Sequence, residues 1–488
     1  MAGLLTAIVV APVGLFFSCM AQDAGPLVAR QRAGASAAPD GETFWPGAAL
    51  QNPFLGSVPS GEQPTEEMAL SLADAIQRGL KFNLGQLLAR QATRAAEGEQ
   101  WQARSGLLPN ITARTTESVL ENNLAAFGFS GFPGITNTIV GPFGIFDARV
   151  YLTQSVFDWS ALSNARAGAE NLKAANLSYD NARDVVVTVV ASQYLEAVAG
   201  SSRIEAAQAE LNTAQALFDQ ATSFKQAGVV PAIEVLRAQV EVQARRQRLI
   251  FFQNEFEKQK LSLARSIGLA ERQPFRLADQ IPYAPFPPMT LDEVLGRAFR
   301  ERPDIQSAEA ALRASEQAKK AAEGERLPSV SVSADFGDIG ARPGSSHETF
   351  SATASLRIPI FQGGRVRGEI MEASARIERQ RAQLQDLRGR IEHEIRTAFL
   401  DLKASGERVE VSRSAVDLTQ QELEQARDRF AAGVAGNIEV VQAQESVAAA
   451  HENFIASTYA YNLAKTLLVR ALGGAEKSYK QFLLGESQ

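Results

Sequence analysis

A single cysteine, Cys19, stands among 488 residues, which excludes an internal disulfide framework and any zinc site built on thiolates. Histidine is almost as scarce. His347, His393 and His451 lie far apart with no ligand spacing, so metal chemistry and a Ser/His/Asp arrangement are poorly supplied. Gly363-Gly364-Arg365 lacks the Lys-Ser/Thr that would make it a phosphate-binding loop. Basic charge is not in excess: 49 Lys and Arg against 55 Asp and Glu leave a net charge of −6, which argues against a nucleic-acid or anionic-lipid binder built on a broad basic face. Beyond the N-terminal region no run approaches 18 consecutive apolar residues, so no transmembrane helix is expected. What remains is an aliphatic-rich chain, 45% hydrophobic and 21% charged, too apolar for wholesale disorder. Neither an enzyme nor a cofactor is expected.

The start of the chain is a targeting region. Leu4 to Phe17 are apolar or small, too short to span a bilayer securely and suited to the core of a signal peptide, although no Lys or Arg precedes Arg30. Cleavage after Ala21 would place Cys19 and Ala21 at the small −3 and −1 positions of a 1–21 signal peptide. Cys19 is alternatively the acylated cysteine of a lipoprotein, with Phe16 where a lipobox favours Leu. Residues 22–67 read as an irregular Pro/Gly-rich leader with one docked segment, Asn52-Pro53-Phe54-Leu55-Gly56.

Everything after that is written twice. Ser71-Leu72-Ala73-Asp74-Ala75-Ile76 aligns with Thr290-Leu291-Asp292-Glu293-Val294-Leu295, and the same offset of 219 carries Leu108-Pro109 onto Leu327-Pro328. Further on an offset of 205 holds: Gln193-Tyr194-Leu195-Glu196 answers Ala398-Phe399-Leu400-Asp401, and Ala227-Gly228-Val229 answers Ala432-Gly433-Val434. The copies occupy 68–273 and 289–474, joined by a Pro-rich linker at 274–288 and followed by a 475–488 tail.

Within each copy a helix (70–107, 290–326) stops at Leu-Pro. A β-hairpin follows, 109–157 or 328–361. In the second copy Val330, Val332, Ala334 and Phe336, then Phe350, Ala352, Ala354, Leu356, Ile358 and Ile360, alternate strictly with small or polar residues. The Gly/Phe-rich loop from Phe127 to Phe146 is read as a cap on the outer end. Next comes an antiparallel coiled-coil hairpin, 160–268 or 365–473. Val190, Ala197, Ile204, Leu211 and Phe218 recur every seven residues in one long helix; Ile395, Leu402, Val409, Val416, Leu423 and Phe430 do so in the other. Small residues stand three positions on, which lets helices approach closely.

Four strands with an apolar face cannot close a barrel, and a membrane strand set is viable only when every edge is paired. Bacterial barrels begin near eight strands, and three copies would supply twelve. The ensemble of Leu-Pro before each hairpin, Phe361-Gln362-Gly363-Gly364-Arg365 after the second, and the tip pattern Gly433 to Ala443 resembles the TolC-like outer-membrane efflux proteins over about 68–474. Asp158-Trp159-Ser160 departs from it, standing where copy 1 would repeat Gly-Gly-Arg.

The resemblance implies a mainly α fold with a membrane β-barrel portion: a homotrimer with a 12-stranded β-barrel in outer-membrane lipid over a periplasmic helical barrel. It implies docking to a periplasmic adaptor and an inner-membrane pump for tripartite efflux or type I secretion, with no nucleic-acid partner. It places Glu439 at the periplasmic gate, with Gln442 where a second acid would stand; three copies of Glu439 would form a negative ring, the alternative being one solvated charge on an exposed helix. Glu234 and Arg237 are candidates to pair with the gate. Gly228, Val229, Gly433 and Val434 are candidate adaptor contacts, and the glycines also serve the turn itself. The competing function is a non-channel coiled-coil docking protein of the periplasm. The cargo is not legible in these residues.

Overall fold

The computed structural model describes residues 52–59, 67–128, 138–270, 272–279 and 285–484. The expected 1–21 signal peptide with Cys19 and most of the expected leader lie outside them, as do residues 129–137 of the Gly/Phe-rich segment.

The duplication appears element for element. Helix α1 (Leu72–Phe82) and α5 (Leu291–Glu301) have 11 residues each; α2 (Leu84–Ser105) and α6 (Pro303–Gly324) have 22 each. The long helices α3 (Trp159–Gln226) and α7 (Arg365–Ala431) have 68 and 67, and the returning helices α4 (Ala232–Ile267) and α8 (Asn437–Leu472) have 36 each. At 1.5 Å per residue, α3 and α7 are each roughly 100 Å long. The sheet strands are β2 (Asn110–Asn123), β3 (Ile139–Phe157), β5 (Ser329–Gly340) and β6 (Ser346–Arg357), after a short β1 (Met68–Leu70) that pairs in parallel with β4 (Phe275–Leu277). Strand β3 absorbs the second half of the Gly/Phe segment read as loop.

Local chemistry explains where the helices start. Ser71 and Asp74 form a capping box on α1, and Thr290 and Glu293 form the same box on α5. Asp158 caps α3 by accepting from the Ala161 N–H at 3.0 Å, standing where Gly364 (φ +86) precedes α7. The helices expected over 70–107 and 290–326 are each broken once. In copy 2, Pro303 forces Arg302 out of helical geometry. In copy 1 no proline is present; Asn83 breaks the helix by accepting from Gly85 N–H at 2.9 Å while donating to the carbonyls of Phe54 (2.7 Å) and Ser266 (3.1 Å). Phe54 belongs to the docked Asn52–Gly56 segment, and its ring lies so close over Gly85 that a Cβ there would sit 2.4 Å from it.

Two apolar clusters hold the middle of the molecule. One joins Leu70, Ile76, Val190, Tyr194, Leu263 and Ile267 with Tyr479 and Phe482 of the C-terminal segment, where α9 (Ala475–Tyr479) runs on into a wide turn to Leu484. The other packs Val294 and Ile305 against Ile391, Ile395 and Leu468. Along the coiled coils the small positions Ala207, Ala214 and Ala221 are buried, while Ile204, Leu211 and Phe218 are only half-buried in the single chain. Among the described residues one helix, α3, is long and apolar enough to cross a membrane by composition, contrary to the expectation from apolar runs; 61% of that stretch is buried by neighbouring segments, so the surface is used as core.

Candidate functional site

Two regions of the described residues hold the candidate functional residues: the sheet at one end and the helical tips at the other. The sheet order is β2-β3-β5-β6, antiparallel throughout. Its registers, Ile111↔Leu152, Ala113↔Val150, Leu152↔Ala334, Ala334↔Ala352 and Phe336↔Phe350, put these apolar alternates on one face, which toward the turns also carries Glu117, Asp338 and Glu348. That face is exposed, Phe350 at 80% and Ile111 at 67%. The opposite face carries Thr112, Arg114, Asp147, Arg149, Tyr151, Asp335, Ser351 and Thr353. There Arg149 lies 2.9 Å from both Asp147 and Asp335, tying β3 to β5. The edges β2 and β6 have no partner strand among the described residues. Strands of 12 to 19 residues exceed the 9–11 residues a tilted membrane strand needs.

At the tips, each hairpin turns on a glycine in the left-handed region, Gly228 at φ +74 and Gly433 at φ +72, where an L side chain would be strained. The turn is closed by Val229 N–H donating to Phe224 O (2.8 Å) in copy 1, and by Val434 N–H donating to Arg429 O (3.0 Å) in copy 2. Val229 and Val434 point outward, 65% and 72% exposed. Behind them Leu217, Phe430, Val440 and Ala443 form a small core, with the Phe224 and Phe430 ring centroids 5.8 Å apart.

The charged candidates are arranged as follows. Glu439 pairs with Arg429 across its own turn at 3.1 Å, an arginine the sequence reading did not single out. The signal was available: Arg429 and Glu439 stand five residues either side of Val434, the spacing at which two antiparallel helix ends face each other. Glu234 pairs with Arg237 on its own helix at 2.8 Å. Gln442 is exposed on α8. Higher up, the nearly buried Arg245 of α4 meets Glu241 (2.5 Å), Glu210 of α3 (3.1 Å) and Glu445 of α8 (3.5 Å). Arg203 of α3 meets Glu452 of α8 at 2.9 Å. These two arginines tie the first hairpin to the second. Among the described residues no cluster of three or more His, Cys, Asp or Glu could hold a metal ion.

The chain matches the family model described as outer membrane efflux protein over residues 85–269 and 294–474. It is 26% identical to the pyoverdine export outer membrane protein OpmQ of Pseudomonas aeruginosa, over 85% of this chain and 87% of that protein. It is 27% identical to protein CyaE of Bordetella pertussis, covering 79% of this chain and 80% of that one. Among solved structures it resembles the Campylobacter jejuni CmeC outer membrane channel, with TM-score 0.72 at 18% identity over 87% of this chain and 92% of that chain. The Vibrio cholerae outer membrane protein VceC is similar at TM-score 0.70 and 21% identity, over 83% and 96%. These structural likenesses speak to the fold.

Proposed function

This chain belongs to the outer membrane efflux protein family, and on that premise we propose that three copies pool their strands into one closed 12-stranded barrel. The protein is the outer-membrane channel component of an efflux system, with long helices extending into the periplasm. The observation that carries the shared barrel is the sheet itself: one face apolar and exposed, the other polar, and both edges open. In lipid each unpaired backbone group would cost several kcal/mol, so the edges must meet a second copy. The apolar face then lies against lipid, and Arg149 with Asp335 lines water.

The helical hairpins of three copies form a tube below the barrel, and the two tips form its periplasmic end. Val229 and Val434 meet an adaptor protein, which couples the tube to an inner-membrane pump. Glu439 narrows the entrance while held by Arg429, and docking draws the pair apart. The duct is passive, and energy comes from the pump. Relatives of nearly equal identity are named for pyoverdine export and toluene efflux, so likeness to them selects no cargo. A periplasmic docking protein without a channel would leave the apolar sheet face and both edges in water, which speaks against that reading.

Reconstitution tests the proposal. The purified full-length chain should be extracted from the outer membrane and give discrete ion conductance in a planar bilayer. A soluble periplasmic species without conductance would refute it.

A further inference from the structure

Two clefts lie where the strands meet the helices, at the end of the sheet opposite its turns. The first, of about 300 Å³, lies between the α6–β5 and β6–α7 junctions and is lined by Arg326, Arg367, Ile360, Phe361 and Val366. The second, of about 500 Å³, lies beside the α2–β2 and β3–α3 junctions and is lined by Trp101, Arg104, Leu108, Leu162 and Arg166. Different residues build them, yet their make-up is the same: two guanidiniums beside an apolar or aromatic wall. Arg104 lies over Trp101 and Arg166 over Trp159, each at 5.9 Å. None of the four arginines has a carboxylate within ion-pair distance among the described residues, although neighbouring Arg365 is held by both Glu325 and Glu369.

The walls continue the lipid side of the sheet. Leu356, on the apolar face of β6, is followed in the chain by Ile358, Ile360 and Phe361, and the last two are 95% and 87% exposed. A pair of unclaimed guanidiniums at the foot of such a surface matches a phosphodiester with acyl chains rising beside it. Guanidinium binds phosphate through parallel N–H donors, and aromatic rings favour the headgroup level. The mild overall acidity of the chain excludes a broad basic face; it does not bear on two local pairs.

We propose that each junction holds the phosphate of a glycerophospholipid from the periplasmic leaflet, bound by Arg326 with Arg367 at one and by Arg104 with Arg166 at the other. This rests on the membrane-spanning reading of the sheet. Six such sites in a trimer would form a lipid collar fixing the height of the barrel in the bilayer.

Native mass spectrometry of the full-length protein in detergent, with added phosphatidylglycerol, tests this. Retained lipid adducts are expected on the wild-type trimer. The Arg326→Gln/Arg367→Gln and Arg104→Gln/Arg166→Gln variants should each weaken retention about tenfold, as expected for loss of charge-assisted hydrogen bonds. Arg408→Gln/Arg413→Gln, exposed on α7 away from the sheet, should leave retention unchanged. Diacylglycerol, which has the chains without the phosphate, should not be retained. Equal retention by the junction variants, or of diacylglycerol, would overturn the lipid sites while leaving the trimer standing. A chain that never forms a trimer would instead refute the shared barrel.

Discussion

Glu439 lies 3.1 Å from Arg429 across the second tip, whereas its counterpart Glu234 lies 2.8 Å from Arg237 one turn along the same helix. The difference is a swap of partners between copies. Position 224 is Phe where copy 2 has Arg429, and position 442 is Gln where copy 1 has Arg237. The second tip therefore carries an ion pair across its turn, and among the described residues the first does not. Both partners are half-exposed, so the tie contributes no more than about 1 kcal/mol, enough to bias a tip without locking it.

Glu439→Gln and Arg429→Gln should each raise conductance in a planar bilayer. The double variant should add little to either, because one interaction is being removed. Melting temperature should barely move, with a stability change below about 1 kcal/mol. Unchanged conductance in both single variants would remove the pair from gating.

Turn chemistry and docking separate at the tips. Gly433→Ala meets open space but must hold a left-handed backbone at φ +72, so stability should fall by about 1–2 kcal/mol. Val434→Asp, on an exposed side chain, should leave the melt unchanged and weaken adaptor capture in pull-down. If Val434→Asp binds adaptor as wild type does, the tip valine is not a contact.

Arg245→Met should be far more costly. The arginine is 6% exposed, and its removal leaves Glu210 and Glu241 facing each other with their compensating charge gone. Loss of one partner of a buried ion cluster costs about 3–5 kcal/mol. Thermal denaturation in detergent reads this directly. A change below 1 kcal/mol would mean the hairpins are held together elsewhere.

A pH effect follows from Asp184. Burial raises its pKa above the ordinary 3.8, and the Glu476 and Gly474 N–H groups, at 2.9 and 3.1 Å, offset this only in part; the charges of Glu476 and Asp180 add to the rise. The folded chain thus holds this proton more tightly than the unfolded chain. Its contribution to stability is complete below pH 3.8 and is lost as pH rises through the raised value. Asp184→Asn should flatten that part of the pH dependence of melting. An identical slope in both proteins would contradict the assignment.

Periodicity made the architecture legible. The coiled-coil hairpins expected over 160–268 and 365–473 are the pairs α3 (Trp159–Gln226) with α4 (Ala232–Ile267) and α7 (Arg365–Ala431) with α8 (Asn437–Leu472), because seven-residue spacing and Gly turns are local signals. The break at Arg302 has a local signal in Pro303. That at Asn83 could not be read locally, since its partners Phe54 and Ser266 come from distant parts of the chain. Tyr479 and Phe482, in the segment read as a tail, are buried against the N-terminal helices for the same nonlocal reason. At the tip the acids were visible as letters, but their pairing depended on which helix end each faces.

The shared barrel is tested most directly by joining its free edges. Cysteines would be placed on the polar face of β2 at Thr112 or Thr116 and of β6 at Ser351, Thr353 or Ser355, with Cys19 replaced by Ser, and oxidised in isolated outer membranes. Closure by three copies predicts a register-matched pair that yields a covalent trimer under denaturing conditions, near three times the 52.6 kDa chain or about 158 kDa, and nothing larger. Monomer alone from every pair, or a ladder that runs past the trimer, would contradict it.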